Sequence, residues 1–194
     1  MRVSGSFDKT VKLWDTTTSS LQNTLIGHSD WVYTVAITPD SKHIVSGSSD
    51  KTIKLWHTTT IAIQRALTGH SSPVMAIAIS QDGKNVISGG GDNDYTIKLW
   101  NARTEDLQKT LIGHSNPITS VAFSPDGKRI VSSAFENNIR LWDTRTGSHQ
   151  QTLVGHSDWV STVDFLEMER GSLPVLMTIL SSYGIPQLEI LRQL

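Results

Sequence analysis

The strongest constraint on the fold of this chain is a repeat with a period of 42 to 44 residues. The dipeptide Gly-His occurs four times, with its histidines at His28, His70, His114 and His156. Four tryptophans follow one another at the same intervals, at Trp14, Trp56, Trp100 and Trp142. A fixed period of this length is typical of proteins that stack one repeated supersecondary unit, so the structure of a single repeat predicts the structure of the array.

Each repeat has the pattern of four short β-strands. The run "WVYTVAIT" (31–38) is apolar and rich in β-branched residues, as in a strand buried on both faces. Turn sequences such as "SPDGK" follow these runs and predict tight hairpins. In the repeat that starts at residue 31, "HIVSGS", "TIKLW" and "IAIQRAL" supply the second, third and fourth strands. Four strands every 42 to 44 residues indicate a β-propeller blade.

The repeats resemble the WD-repeat family of β-propellers over residues 2 to 165. The Gly-His pairs carry the resemblance together with Trp14-Asp15 and Trp142-Asp143, which match the signature dipeptide, whereas Trp56 and Trp100 are followed by other residues. The resemblance implies an all-β WD-repeat β-propeller. We expect about four blades' worth of four-stranded antiparallel sheets in an incomplete ring.

The strand pattern predicts 16 strands and a boundary near residue 165. The first blade shows three strands, three full repeats follow, and "WVSTVDF" (159–165) supplies one more. Residues 166–194 form a divergent C-terminal tail without Gly-His, in which the apolar cluster 173–180 predicts a short helix or strand. We favour a fragment or truncated product over two alternatives, ring closure with a second copy and closure alone. Open blade edges also predict self-association.

A serine, a histidine and an acid recur in the repeats, which admits a hydrolase triad as one interpretation. Catalysis needs one such set in one pocket, whereas this set occurs once per repeat, so a structural role is favoured. The resemblance implies that the Gly-His histidine, the second-strand serine, the turn acid and the third-strand tryptophan form a buried hydrogen-bonded chain.

We call each such set a quartet. The expected members, blade by blade, are His28, Ser46, Asp50 and Trp56; His70, Ser88 and Trp100 with Asp92 or Asp94; and His114, Ser132, Glu136 and Trp142. The first blade has Ser4, Asp8 and Trp14 without a histidine. Because Glu136 is one methylene longer than aspartate, we expect its link to be strained or absent.

Family members commonly bind partners on the face that carries the Gly-His loops. The positions concerned are the third and fifth residues after the histidine and the residue before the turn acid. Here they are Phe7, Trp31, Tyr33, Ser49, Pro73, Met75, Gly91 or Asn93, Pro117, Thr119, Phe135, Trp159 and Ser161. We expect Phe7 and Phe135 to be exposed. For Trp31 and Trp159, exposure and packing between blades both stay open.

The composition of the chain argues against several classes of function. Lys and Arg total 17 against 18 Asp and Glu, so no basic footprint for nucleic acid is expected. The longest apolar run, "LPVLMTIL", falls far short of the roughly 20 residues of a membrane span. There are no cysteines, no phosphate-binding glycine motif and no zinc-type spacing among the other histidines. We therefore expect no catalytic, cofactor or metal site.

These observations predict a non-enzymatic scaffold that binds a protein or peptide partner on the propeller face. The close likeness of the repeats resembles WD arrays of larger signalling proteins, and we expect a cytoplasmic location because no secretory signal is visible. Two alternatives stay open. One is a fragment without independent function, and the other is a hydrolase that uses one His/Ser/Asp set.

Overall fold

The computed structural model describes residues 1–166, 175–179 and 188–191. Their backbone forms eighteen strands in five antiparallel sheets, which we call blades 1 to 5. Blade 1 contains β1 (Arg2–Gly5), β2 (Thr10–Trp14) and β3 (Leu21–Ile26). Blade 2 contains β4 (Val32–Ile37), β5 (His43–Ser48), β6 (Thr52–His57) and β7 (Ile63–Thr68).

The remaining blades follow in the same order along the chain. Blade 3 contains β8 (Val74–Ile79), β9 (Asn85–Gly90), β10 (Ile97–Asn101) and β11 (Leu107–Leu111). Blade 4 contains β12 (Ile118–Phe123), β13 (Arg129–Ala134), β14 (Asn138–Asp143) and β15 (His149–Val154). Blade 5 contains β16 (Thr162–Leu166), β17 (Val175–Ile179) and β18 (Leu188–Leu191).

The hairpin between the first two strands of each full blade is closed by one aspartate. In blade 2, Asp40 accepts hydrogen bonds from the Thr38 hydroxyl at 2.7 Å and from the Lys42 backbone N–H at 3.0 Å. Asp82 and Asp126 make the same pair of contacts in blades 3 and 4. The turn sequences predict these hydrogen bonds, because an aspartate side chain in a tight turn commonly accepts a backbone N–H two residues further along.

The blades are held together by apolar cores that lie between neighbouring sheets. Val11 and Leu13 of blade 1 pack with Ile44 and Trp56 of blade 2. Trp100 packs in the same way against residues of blade 2, in the core between blades 2 and 3. Trp56, Trp100 and Trp142 therefore each bury their ring against the preceding blade, which explains why the residue recurs in these repeats.

The first strands of blades 2 to 5 lie on the inside of the array. Strands β4, β8, β12 and β16 contact one another in chain order, while β7, β11 and β15 are the outermost strands of their sheets. The described residues form an open arc of blades rather than a closed ring. The expected all-β array of antiparallel blades in an incomplete ring is confirmed.

The 16 strands predicted up to residue 165 are observed as β1 to β16, and the described residues contain two more, β17 and β18. Strand β16 begins at Thr162 and not at residue 159, and it pairs with β17, which pairs in turn with β18. The apolar cluster 173–180 contains a strand, Val175–Ile179, and its remaining residues lie outside the described part. Most of the predicted tail, 166–194, also lies outside it, so the boundary at 165 stays a prediction.

Within the described residues, no helix has the length and apolar character needed to span a lipid bilayer.

Candidate functional site

The quartet of blade 2 is a continuous chain of hydrogen bonds. The indole N–H of Trp56 donates to Ser46 Oγ at 2.8 Å, and Ser46 Oγ lies 2.7 Å from His28 Nε2. His28 Nδ1 lies 2.7 Å from Asp50 Oδ2. The bonds are mutually consistent when the serine hydroxyl donates to Nε2 and the Nδ1 proton is donated to the carboxylate.

Asp50 is the anchor of this chain. It also accepts hydrogen bonds from the backbone N–H of Ser29 at 3.0 Å and from the hydroxyl of Thr52 at 2.6 Å. Burial alone raises the pKa of Asp50, but hydrogen bonds from Thr52, His28 and Ser29 outweigh burial and hold the pKa at about 2. Burial lowers the pKa of His28, so its neutral form is favoured.

Blade 3 contains the same chain despite two extra residues in its turn. His70 Nδ1 lies 2.7 Å from Asp94, and His70 Nε2 lies 2.6 Å from Ser88 Oγ. The structure thus selects Asp94 over Asp92, which is exposed. Trp100 donates to Ser88 Oγ at 2.8 Å.

Blade 4 contains the chain with a glutamate as its acid. His114 Nδ1 contacts Glu136, and the Ser115 hydroxyl donates to the other carboxylate oxygen at 3.1 Å. The link that we expected to be strained or absent is present. Ser132 lies 2.7 Å from His114 Nε2 and accepts the indole N–H of Trp142 at 2.9 Å.

Blade 1 contains only part of the chain. Trp14 donates to Ser4 Oγ at 2.9 Å, but no histidine reaches this serine. Asp8 is exposed and accepts hydrogen bonds from the backbone N–H and the hydroxyl of Thr10 instead. These bonds from Thr10 lower the pKa of Asp8.

The quartets have the residue types of a hydrolase triad but not its accessibility. A nucleophilic serine must reach a substrate, whereas Ser46, Ser88 and Ser132 are all 0% exposed. Each serine oxygen also accepts an indole N–H. This geometry favours a structural role, because each buried polar group has a partner.

Above the quartet of blade 2, three aromatic rings form a surface cluster that we call pad 1. Phe7 of blade 1 stacks on Trp31, which precedes β4, with 4.7 Å between ring centroids and 21° between ring planes. Tyr33 meets both rings edge-on, at 5.9 and 6.3 Å. Phe7 is 62% exposed and Trp31 45% exposed, so packing as ordinary core is excluded for Trp31.

A second cluster, pad 2, lies between blades 4 and 5. The ring centroids of Phe135 and Trp159 are 4.6 Å apart, and the two residues are 40% and 46% exposed. Ser161 takes the position that Tyr33 has in pad 1. The expected exposure of Phe7 and Phe135 is observed, and for Trp159 the structure again selects exposure over interblade packing.

The two junctions between the pads use the same positions without aromatic side chains. Ser49 and Pro73 stand there between blades 2 and 3, and Asn93 and Pro117 between blades 3 and 4. Asn93 is exposed, whereas Gly91 is buried and donates its N–H to the Pro73 carbonyl at 2.8 Å. Asn93 directly precedes Asp94 in the sequence, whereas Gly91 makes the backbone contact that Ser49 makes to Trp31 and Phe135 makes to Pro117.

Two further predicted positions lie partly inside the structure. Met75 is half-buried in β8. The Thr119 hydroxyl donates to the Val160 carbonyl at 2.7 Å, and it lies 2.8 Å from Ser133 Oγ. Thr119 therefore joins blade 4 to blade 5 rather than facing a partner.

The sequence interpretation missed an acid beside each exposed tryptophan. The backbone N–H of Trp31 donates to Asp30 at 2.9 Å, and that of Trp159 donates to Asp158 at 2.8 Å. Asp158 is exposed and Asp30 half-buried. The signal was available, because the string "HSDWV" occurs at both 28–32 and 156–160.

In the part of the chain that the structure describes, no group of three or more histidine and acidic side chains could hold a metal ion. His43 and His57 meet edge-on with 5.5 Å between ring centroids, but no acid joins them to complete such a group.

The repeated blades and their quartets define the chain as an array of β-propeller repeats. Comparison with known proteins identifies the family. The model of the WD domain, G-beta repeat, matches residues 1–15, 19–57, 62–101 and 105–143, which is more than half of the chain. The chain belongs to this family of WD repeats.

Among individual proteins, the chain is similar to Nuclear distribution protein PAC1 of Coprinopsis cinerea. The two sequences are 51% identical over 39 residues, which cover 20% of this chain and 9% of that protein. The likeness therefore concerns about one repeat of a much longer relative.

Proposed function

We propose that this chain is a non-enzymatic scaffold that binds a protein or peptide partner through pads 1 and 2. WD repeats generally mediate interactions between proteins, and this family membership supports the proposal. The observation that carries it is the exposure of aromatic ring pairs at two positions, Phe7 stacked on Trp31 and Phe135 tilted against Trp159.

Aromatic side chains are suited to this role. Tryptophan and tyrosine provide a large contact area with few rotatable bonds, and they are enriched among the residues that dominate binding energies. The stacking of Phe7 on Trp31 limits the motion of both rings before a partner arrives. The quartets below the loops fix the backbone from which the rings project.

A peptide selection tests the proposal. A phage-displayed library of random dodecapeptides is selected on the purified chain, and enriched peptides are measured by fluorescence anisotropy. We expect the double variant Trp31→Ser/Trp159→Ser to bind them about tenfold more weakly or worse. Selection of no peptide, or of peptides indifferent to this change, would contradict the proposal.

The matched control removes exposed apolar area elsewhere. Ile26 ends the outermost strand of blade 1 and Ile112 directly follows that of blade 3, and each is 77% exposed. The double variant Ile26→Ser/Ile112→Ser should bind the selected peptides as the unchanged chain does. An equal loss in this variant would assign the binding to general surface hydrophobicity.

Two further features belong to the same proposal. We propose a cytoplasmic signalling context for the scaffold. We also propose self-association through blade edges, because within the described residues β1 pairs with β2 alone and leaves its inner edge without a neighbouring strand. Light scattering that finds only the 21.4 kDa monomer at high concentration would contradict self-association.

A further inference from the structure

We propose that pads 1 and 2 are twin sites for basic side chains, each receiving one arginine or lysine of a partner that presents two of them. The inference rests on the proposed function and adds which side chains of the partner bind at the pads and how many of them bind. It predicts a partner segment with two separated basic residues, or a dimeric partner with one on each copy.

The two pads are built by the same elements in the same way. In each pad a phenylalanine precedes the turn acid of one blade, and 24 residues later a tryptophan begins the next blade: Phe7 with Trp31, and Phe135 with Trp159. The ring centroids lie 4.7 and 4.6 Å apart. Both pads therefore present a phenylalanine-tryptophan pair, with ring planes 21° apart in pad 1 and 37° apart in pad 2, and pad 1 adds Tyr33.

Each pad has a carboxylate on the residue before its exposed tryptophan. Asp30 and Asp158 accept the backbone N–H groups of Trp31 and Trp159, which holds each carboxylate close to the backbone of its tryptophan. Phenylalanine covers one side of the indole, yet 45% of Trp31 and 46% of Trp159 remain exposed. A cation above an indole is attracted by the ring, and an adjacent carboxylate adds a charge-assisted hydrogen bond.

In the blade before each tryptophan, the turn acid lies near a basic residue four positions later. In pad 1 the ammonium of Lys12 lies 3.8 Å from Asp8, and in pad 2 Arg140 lies 3.8 Å from Glu136. Lys9 has no charged counterpart, because Asn137 takes its place in pad 2.

Lys9 bears directly on cation binding at pad 1. Its ammonium donates to the Ser29 carbonyl at 2.9 Å, which holds a positive charge two residues from Trp31. A positive charge held near Trp31 disfavours the binding of a second cation at the same ring. Pad 1 should therefore bind a basic side chain more weakly than pad 2 at low salt, and the change Lys9→Asn should strengthen pad 1 alone.

Indole NMR provides separate readouts for the two pads. The indole N–H groups of Trp56, Trp100 and Trp142 are bonded to buried serines and serve as internal references. The chain is titrated with the peptide acetyl-Gly-Arg-Gly-amide and with the same peptide carrying neutral citrulline. We expect the arginine peptide to shift the indole signals of Trp31 and Trp159. The citrulline peptide should bind with about tenfold lower affinity.

Variants test the role of each acid. Asp30→Asn should weaken arginine binding at Trp31 several-fold without changing binding at Trp159, and Asp158→Asn should do the reverse. A tandem peptide with two arginines and a flexible Gly/Ser linker should bind about a hundredfold more tightly than the single peptide at the optimal linker length. This gain should disappear in Trp159→Ser.

The outcomes separate this inference from the proposed function. Equal binding of citrulline and arginine, shifts at one pad alone, or no gain from any linker length would overturn the inference. Display-selected peptides that need the pads but contain no basic residue would also overturn it while leaving the proposed function in place. Melting curves of every variant, followed by circular dichroism, check that the fold is retained.

Discussion

His28 and Trp31 stand three residues apart in the same loop, and the protein uses them in opposite environments. His28 is 6% exposed and bonded to Ser46 and Asp50 below the loop. Trp31 is 45% exposed and stacked on Phe7 above it. The same contrast holds for the loops as a whole, with quartets inside and pads outside.

The contrast teaches how a repeat separates stability from recognition. The quartets of blades 2, 3 and 4 have the same chemistry, because every blade must satisfy the same buried polar groups. The surface positions above them differ, being aromatic at two junctions and Ser/Pro or Asn/Pro at the two between. Variation on a constant frame allows binding to change without loss of the fold.

The largest expected effect on stability is the difference between replacing a buried tryptophan and replacing an exposed one. Trp100 is buried between blades 2 and 3, so Trp100→Ala removes its packing and leaves Ser88 without its indole donor. We expect a loss of about 3–5 kcal/mol in the free energy of unfolding. Trp159→Ala should change it by about 0.5 kcal/mol or less, as is usual at a surface. Urea unfolding followed by circular dichroism measures both, and equal losses would break the contrast.

A smaller effect is expected from the histidine of one quartet. His70→Ala leaves Ser88 and Asp94 without their central partner, and an unpaired buried group costs about 1–3 kcal/mol. The matched control is His149→Ala, because His149 is exposed, hydrogen-bonds to Thr152 within β15 and meets the Trp142 ring edge-on at 5.4 Å, so no buried hydrogen bond is lost. Peptide binding at pads 1 and 2 should be retained in both variants, and a selective loss of binding in His70→Ala would contradict a structural role.

A fall in pH should destabilise the buried quartets before it affects the exposed pads. Burial lowers the pKa of His28 and His114 below the ordinary 6.5, so stability contributed by the neutral rings is present above pH 6.5 and is lost as the pH falls below it. The pKa of Asp50 falls from 3.8 to about 2, so its contribution, about 2 kcal/mol, is lost between about pH 4 and 2.

The pH dependence is measured as the urea midpoint at a series of pH values. We expect it to decline in two stages, the first below about pH 6.5 and the second below about pH 4. A midpoint that rises between pH 7 and 5 would show that the histidines are favoured in their charged form in the folded protein.

The smallest effect on stability is expected at the pads. Phe135 is exposed and packs on Trp159 alone among the aromatic rings near it. Phe135→Ser should therefore change the free energy of unfolding by about 0.5 kcal/mol while weakening peptide binding at pad 2. A large fall in melting temperature would show that pad 2 belongs to the core.

The sequence predicted the parts of the structure that recur. The 42-residue spacing of Trp14 and Trp56 located the third strand of each blade, and β5 and β9 lie where the second strands were expected. The acid of blade 3 could not be chosen from the sequence, because Asp92 has the spacing from the serine that the other blades show and Asp94 has the spacing to the tryptophan that they show. Hydrogen bonding to His70 makes that choice.

Features that depend on long-range packing were beyond the repeat pattern. A tryptophan just before a first strand is compatible with a core or a surface position, and only the three-dimensional packing shows that Trp31 and Trp159 are exposed. Strands β17 and β18 carry no Gly-His or turn signal, so their pairing next to β16 had no local sequence signature.

The insertion in blade 3 has a practical consequence. Ser88 faces Lys98 in β9 and β10 as Ser46 faces Lys54 in blade 2, so two added residues leave the strand register unchanged. This corner is therefore a natural entry point for protein engineering. A fluorophore or an affinity handle introduced beside Asn93 would be carried by the corner while the neighbouring strands keep their alignment.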